Sequence, residues 1–196
     1  VITKNSFEKK PILLRIFLST VIGFVILTLI FYLLSLLNLR PLIFLFFFAT
    51  AALFVRLKLY RIKIEIPRGW FNLVSVVIIF MGTVFQVIPT FKNGLTYPFG
   101  LGFWGPNTHD GIWHLSLINQ LIKSVPPENP IFAGVVLKNY HFFYDLLIAA
   151  TGYLSTIPPI DLVFRFYPVI FALMLGIGTY YLVFNLFKDK LAVLFS

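Results

Sequence analysis

The chain has 196 residues, 59% of them hydrophobic and 24 of them phenylalanine, with a mean hydropathy of +0.93, well outside the usual range of water-soluble globular domains. The absence of cysteine excludes disulfides and thiolate metal sites and leaves the compartment open. The net charge of +9 resides in basic residues that flank apolar runs, the placement of topology signals and not of a nucleic-acid surface.

Uncharged runs cover 16–39, 69–91 and 166–187, each long enough to cross a hydrocarbon core of ~30 Å. Lys4, Lys9, Lys10 and Arg15 stand at the start of the first span, roughly Ile12 to Leu37, and place the N-terminus in the cytoplasm. This segment is too long for the core of a cleaved signal peptide, and no small-residue cleavage site follows it. Asn38–Pro41 reads as a tight turn, with the proline starting the next helix. The second segment, Pro41 to about Leu57, has 15 uncharged residues between Arg40 and Arg56; both arginines can snorkel, which makes it a short span. The stretch 56–68, RLKLYRIKIEIPR, sets five basic residues against one glutamate and reads as a second cytoplasmic loop touching anionic lipid.

A third span runs outward from Trp70, an interfacial belt residue, to about Ile88. Beyond it Gly94, Gly100, Gly102 and Gly105 and the prolines at 89, 98 and 106 break regular structure. Thr108 is placed to cap a helix from about His109 to Ser124 that ends at Pro126–Pro127. Its residues Ile112, Leu115, Ile118, Leu121 and Ile122 share one face, so it lies along the membrane surface. Segment 140–155 decides the topology. If it spans, the helix from Leu162 to Phe187 runs outward and puts Lys188 and Lys190 outside; if it only dips into the interface, both lysines are cytoplasmic, as the charge rule prefers. Region 92–165 is then one extracytoplasmic loop whose fixed charges balance: Lys92, Lys123, Lys138 and Arg165 against Asp110, Glu128, Asp145 and Asp161.

The expected architecture is an all-α polytopic membrane protein with about four transmembrane helices and two juxtamembrane helices in a long extracytoplasmic loop. It divides into a hairpin with its basic loop (1–69) and a unit of span 70–88, loop 89–161 and span 162–187 within 70–190. The remainder, 191–196, reads as the start of a further apolar segment. With Val1 in place of an initiator methionine, this suggests a fragment.

All three histidines fall between His109 and His141, together with Asp110 and Glu128, and Asp145 follows. Polar groups are costly near lipid, so this is where a function is sought. Asp110 and His114 are four apart and share a helix face, and His141 and Asp145 repeat the spacing. Facing pairs of this kind would bind a divalent cation, magnesium or manganese, through His114, His141 and Asp145, or would position a base and a phosphate. The plainer alternative makes each histidine an interfacial aromatic with a satisfied hydrogen bond. Asp110 stands at a first helical turn, where a carboxylate favours the macrodipole. Presented beside the membrane between glycines and Trp113, it can also take a proton from an attacking hydroxyl. Arg165 and Lys138 either snorkel or contact phosphate. Asp161 reads as an N-cap, and Glu128 in PPENP (126–130) is a turn residue or a substrate contact. Trp104, Trp113, Tyr140 and Tyr144 form an aromatic belt or stack on a sugar.

The order of these features resembles the first extracytoplasmic loop of the GT-C superfamily of polytopic membrane glycosyltransferases. An outward span precedes Asp110 with His114; then come PENPIFAG (127–134), YHFFYDLLIAA (140–150) and an arginine opening FRFYPVIFALMLGIG (164–178). The likeness covers roughly 70–190, and the two earlier spans would be an addition. It implies that Asp110 is the catalytic base and that a polyprenyl-phosphate sugar is the donor. The departing phosphate would meet Arg165, Lys138, His114 or a cation held by the histidines, and Trp113 and Glu128 would contact substrate. Many members carry paired acids at the aspartate, whereas His109 and Gly111 flank it here. Two other readings are a transporter or channel subunit, against which the nearly charge-free spans argue, and a non-catalytic membrane scaffold.

Overall fold

The computed structural model describes residues 10–58, 70–189 and 192. Lys4, Lys9, most of the basic stretch 56–68, the side chain of Trp70 and all of 191–196 but Ala192 lie outside the described residues. The chain forms α1 (Ile12–Leu36), α2 (Leu42–Arg56) and α3 (Trp70–Phe91). A small hairpin of β1 (Leu95–Tyr97) and β2 (Gly100–Gly102) follows, then a tight helical turn over Gly105–Thr108. The remaining helices are α4 (Asp110–Lys123), α5 (Phe143–Ser155) and α6 (Pro159–Phe187). Three of them, α1, α3 from Leu73 onward and α6, are long and apolar enough to cross a bilayer. The fourth expected span, α2, is a shorter apolar helix of 15 residues.

Contacts fix the directions of these helices. The end of α3 meets the beginning of α6 where Arg165 reaches the Asn93 carbonyl, and their middles meet at Ile79 and Gly176. The two are therefore antiparallel. Phe24 of α1 packs on Tyr167 and Phe171, and earlier in α1 Phe17 faces Gly178, so α1 also runs opposite to α6. Both ends of the segment between α3 and α6 thus emerge at the end of the bundle where α1 ends, and segment 140–155 is not among the helices long and apolar enough to cross a bilayer. The placement of α5 agrees. Phe143 lies against Tyr32 and Tyr153 against Phe31. The ten-residue interval on α5 rises about 15 Å, yet both ends meet adjacent residues of α1, so α5 lies across α1 and not along it.

The core sits at this end of the bundle. Leu117, Ile118 and Leu121 of α4, Leu146 and Ile148 of α5, Phe31 of α1 and Phe164 of α6 are fully or almost fully buried. By contrast, only 11%, 17% and 6% of the most apolar windows of α1, α3 and α6 are buried within the protein. Long helices that expose Phe80, Phe85, Leu182 and Leu186 in this way suit lipid and not water.

Four local features depart from expectation. The glycine-rich loop after α3 contains the β1–β2 hairpin, in which Tyr97 pairs with Gly100 around the two-residue corner Pro98–Phe99. Thr108 does not cap α4; its hydroxyl donates back to the Gly105 carbonyl at 2.8 Å, closing the preceding turn. The last helix starts at Pro159, because proline fits a first turn whose amide needs no partner. Asp161 therefore lies inside that turn instead of capping it. A widened helical turn over Leu162–Phe166 follows, a feature common near functional sites.

Candidate functional site

The apolar face of α4 buries Leu117, Ile118 and Leu121 against α5. One turn before Ile118 the same face carries His114, and the first turn of α5 carries Asp145 beside buried Leu146. The packing therefore brings these two side chains together, with His114 Nδ1 2.8 Å from Asp145 Oδ1. Asp145 is sealed at 1% exposure, whereas the His114 side chain keeps 33%. Burial raises the proton affinity of the Asp145 carboxyl, and His114 and His141 oppose the rise. Its second oxygen, Oδ2, is buried without a hydrogen-bond partner. Burial together with the neighbouring Asp145 charge also pushes the Tyr144 phenol up.

A second bond joins the same two segments: Trp113 Nε1 donates to the Tyr140 hydroxyl at 2.9 Å, with the rings edge to face. Tyr140 stacks in turn on the exposed His141 ring at 4.9 Å. Trp113 and Tyr140 are thus engaged with one another.

Asp110 is placed differently. Its side chain is 74% exposed and meets only the neighbouring His109, Nδ1 to Oδ1 at 3.0 Å. The backbone beneath it is fixed, because buried Gly111 lies against Phe164. A Cβ at Gly111 would come within 2.9 Å of the Phe164 ring and 3.1 Å of Asn107 Cβ. Asp110 is therefore an open carboxylate on a rigid base, one turn from the His114–Asp145 pair. The spacing that suggested Asp110 with His114 and His141 with Asp145 yields other partners: His109 with Asp110, and His114 with Asp145.

Arg165 is committed to structure. It donates to the Asn93 carbonyl at 3.1 Å and the Ile160 carbonyl at 3.3 Å, and it pairs with Asp161 at 2.9 Å. It clamps the end of α3 to the start of α6. Lys138 and Glu128 have exposed side chains on the loop between α4 and α5, where Glu128 forms a backbone bridge with Val136. Among the described residues no group of three or more His, Asp or Glu side chains is arranged to hold a metal. His114 and Asp145 direct their facing atoms at each other, so the proposed His114, His141 and Asp145 set does not fit a magnesium or manganese ion, which needs several oxygens around it.

No family model, curated protein or solved structure matches this chain. The functional argument therefore rests on the site and not on kinship.

Two residues important to the site's framework escaped the sequence reading. Asn93 is fully buried, donates to the Pro89 and Thr90 carbonyls and accepts from the Trp104 amide at 2.7 Å. It fastens the hairpin to the end of α3, and an Asn-Gly pair after a helix was the available signal. Arg40, expected to snorkel, turns inward instead. It bonds the Ser35 hydroxyl and the Ile122 carbonyl in the last turn of α4, and it covers the Phe31 ring. Nothing in the sequence marks that long-range contact.

Proposed function

We propose that this chain forms the first-loop part of a membrane glycosyltransferase of GT-C type, transferring sugar from a polyprenyl-phosphate donor to an acceptor hydroxyl on the extracytoplasmic side. The observation that carries this reading is Asp110: an open carboxylate on a rigid helix start, at the end of a bundle of apolar helices. An ionised carboxylate there can take the proton of the acceptor hydroxyl as it attacks the anomeric carbon. The loop's two helices, α4 and α5, lie at the end of the bundle, where a lipid-linked substrate would present its head group. An open groove of about 370 Å³ between α3 and α6, lined by Ile78, Ile79, Ala172 and Leu175 and also by Ser75, Thr83, Gln86, Thr179 and Tyr180, offers a place for the polyprenyl tail. Trp113 would contact sugar, with its indole held by Tyr140, and exposed Lys138 would contact phosphate. Arg165 serves this site by fixing the α3–α6 junction.

The test is transfer from radiolabelled decaprenyl-phosphate mannose or glucose by the full-length protein in nanodiscs, under conditions where wild type turns over. Asp110→Asn should lower turnover by roughly 100-fold or more, the usual contribution of a general base. Equal turnover in wild type and variant removes Asp110 as the base.

A further inference from the structure

We propose that His114 is the proton donor to the departing phosphate in this reaction, and that Asp145 is the positioning residue that keeps its outward nitrogen protonated. The inference rests on the glycosyl-transfer reading above. His114 Nδ1 faces Asp145 Oδ1 at 2.8 Å, so Nε2 is the ring nitrogen left to meet a ligand. Nε2 has no intramolecular partner among the described residues, and the ring is one-third exposed while the carboxyl is sealed.

A proton count decides what Nε2 can do. A lone buried carboxylate is costly, and two states relieve the cost. In one, the carboxyl holds the proton and donates it to Nδ1, so the neutral ring carries its hydrogen on Nε2. In the other, the carboxylate faces an imidazolium, and both nitrogens carry hydrogen. Nε2 is a donor in both. In a third, a neutral ring donates from Nδ1 to the carboxylate and leaves Nε2 bare; that state keeps a net negative charge on a sealed carboxyl whose Oδ2 has no partner, and burial opposes it. The raised proton affinity of Asp145 points the same way.

Asp110 and His114 sit one turn apart on α4, with about 5–6 Å between Cβ atoms. They can therefore flank one reacting carbon as acceptor and donor, the division of labour expected where environments push two titratable groups apart. The acceptor oxygen forms its bond to the anomeric carbon as the bond from that carbon to the phosphate oxygen breaks, and the bonding pair leaves with the phosphate. The acceptor's proton goes to Asp110 and the Nε2 proton to the departing phosphate. The proton on Asp110 then returns to the dyad through water. No metal is needed.

The experiment measures binding of decaprenyl monophosphate and decaprenol to the full chain in nanodiscs, beside transfer from decaprenyl-phosphate mannose or glucose. Wild type should prefer the monophosphate by roughly tenfold, as one hydrogen bond to a charged group allows. His114→Gln and Asp145→Asn should lose most of that preference. Nitrogen-15 spectra of the three histidines supply a readout that mere packing would not move: wild-type His114 must show hydrogen on Nε2, and Asp145→Asn must change its tautomer. A bare Nε2 in wild type overturns the donor role without any variant. An unchanged preference in both variants overturns it too, while leaving Asp110-dependent transfer standing. A preference that follows His114 without sugar transfer overturns the glycosyltransferase reading and keeps only an anion site. Inorganic phosphate displacing the lipid at equal concentration overturns the lipid as the source of the phosphate.

Discussion

Asp145 is the residue whose surroundings most constrain its chemistry. Burial raises its proton affinity, so between the ordinary carboxylate value and the folded one the folded chain holds a proton that the unfolded chain has released. That contribution to stability is complete below the ordinary carboxylate range and is lost as pH rises through the folded value. The melting temperature in detergent should therefore fall over this rise, and Asp145→Asn should flatten the fall; an identical pH slope in the variant would contradict the assignment. Asp110 is exposed and meets only the neighbouring His109, so its replacement should act on turnover and leave melting almost unchanged. At this scale the sequence disclosed where the ionisable side chains gather, because three histidines and several acids in one polar loop stand out against lipid-like surroundings. It did not disclose who pairs with whom. His114 and Asp145 are 31 positions apart, and their bond depends on how α4 seats on α5. The i,i+4 rule sees only neighbours on one helix.

Among the elements, the start of α4 is held by one close approach. A Cβ at Gly111 would meet the Phe164 ring, which is itself buried and has no room to retreat. Alanine's helix propensity, worth about 1 kcal/mol over glycine, would mask part of the clash. Valine is the sharper probe, and Gly111→Val should cost about 1–3 kcal/mol as overpacking, seen as a lower melting temperature together with reduced transfer. The other end of α4 depends on Arg40. Arg40→Met leaves the Ile122 carbonyl without its charged donor and should cost about 1–3 kcal/mol in thermal unfolding. A variant as stable as wild type would mean that water replaces the guanidinium at no loss. Helix positions were legible to within a few residues, because Pro41, the Pro126–Pro127 pair and the long uncharged runs are local signals. The cap at Thr108 was misread because its hydroxyl had a nearer acceptor, the Gly105 carbonyl.

Across the whole molecule, the antiparallel run of α3 and α6 places the α1–α2 turn and the 92–158 segment at one end of the bundle and the end of α6 at the other. The cysteine-free sequence makes this directly testable. With an impermeant maleimide, Asn38→Cys and Asn129→Cys should label from one face of sealed vesicles and Lys188→Cys, at the end of α6, from the other, and labelling of all three from the same face would refute the arrangement. By itself the sequence determined that the chain holds helices long and apolar enough to cross a membrane, where they lie and which loop gathers the ionisable groups, since hydropathy and breaker residues act over a few turns. Only the tertiary structure decided that segment 140–155 crosses α1 at the bundle's end, that Arg165 and Arg40 bind backbone carbonyls, and that His114 meets Asp145. Those outcomes depend on which helices pack together, and the same apolar composition that brings every helix to lipid says little about which neighbour each one takes.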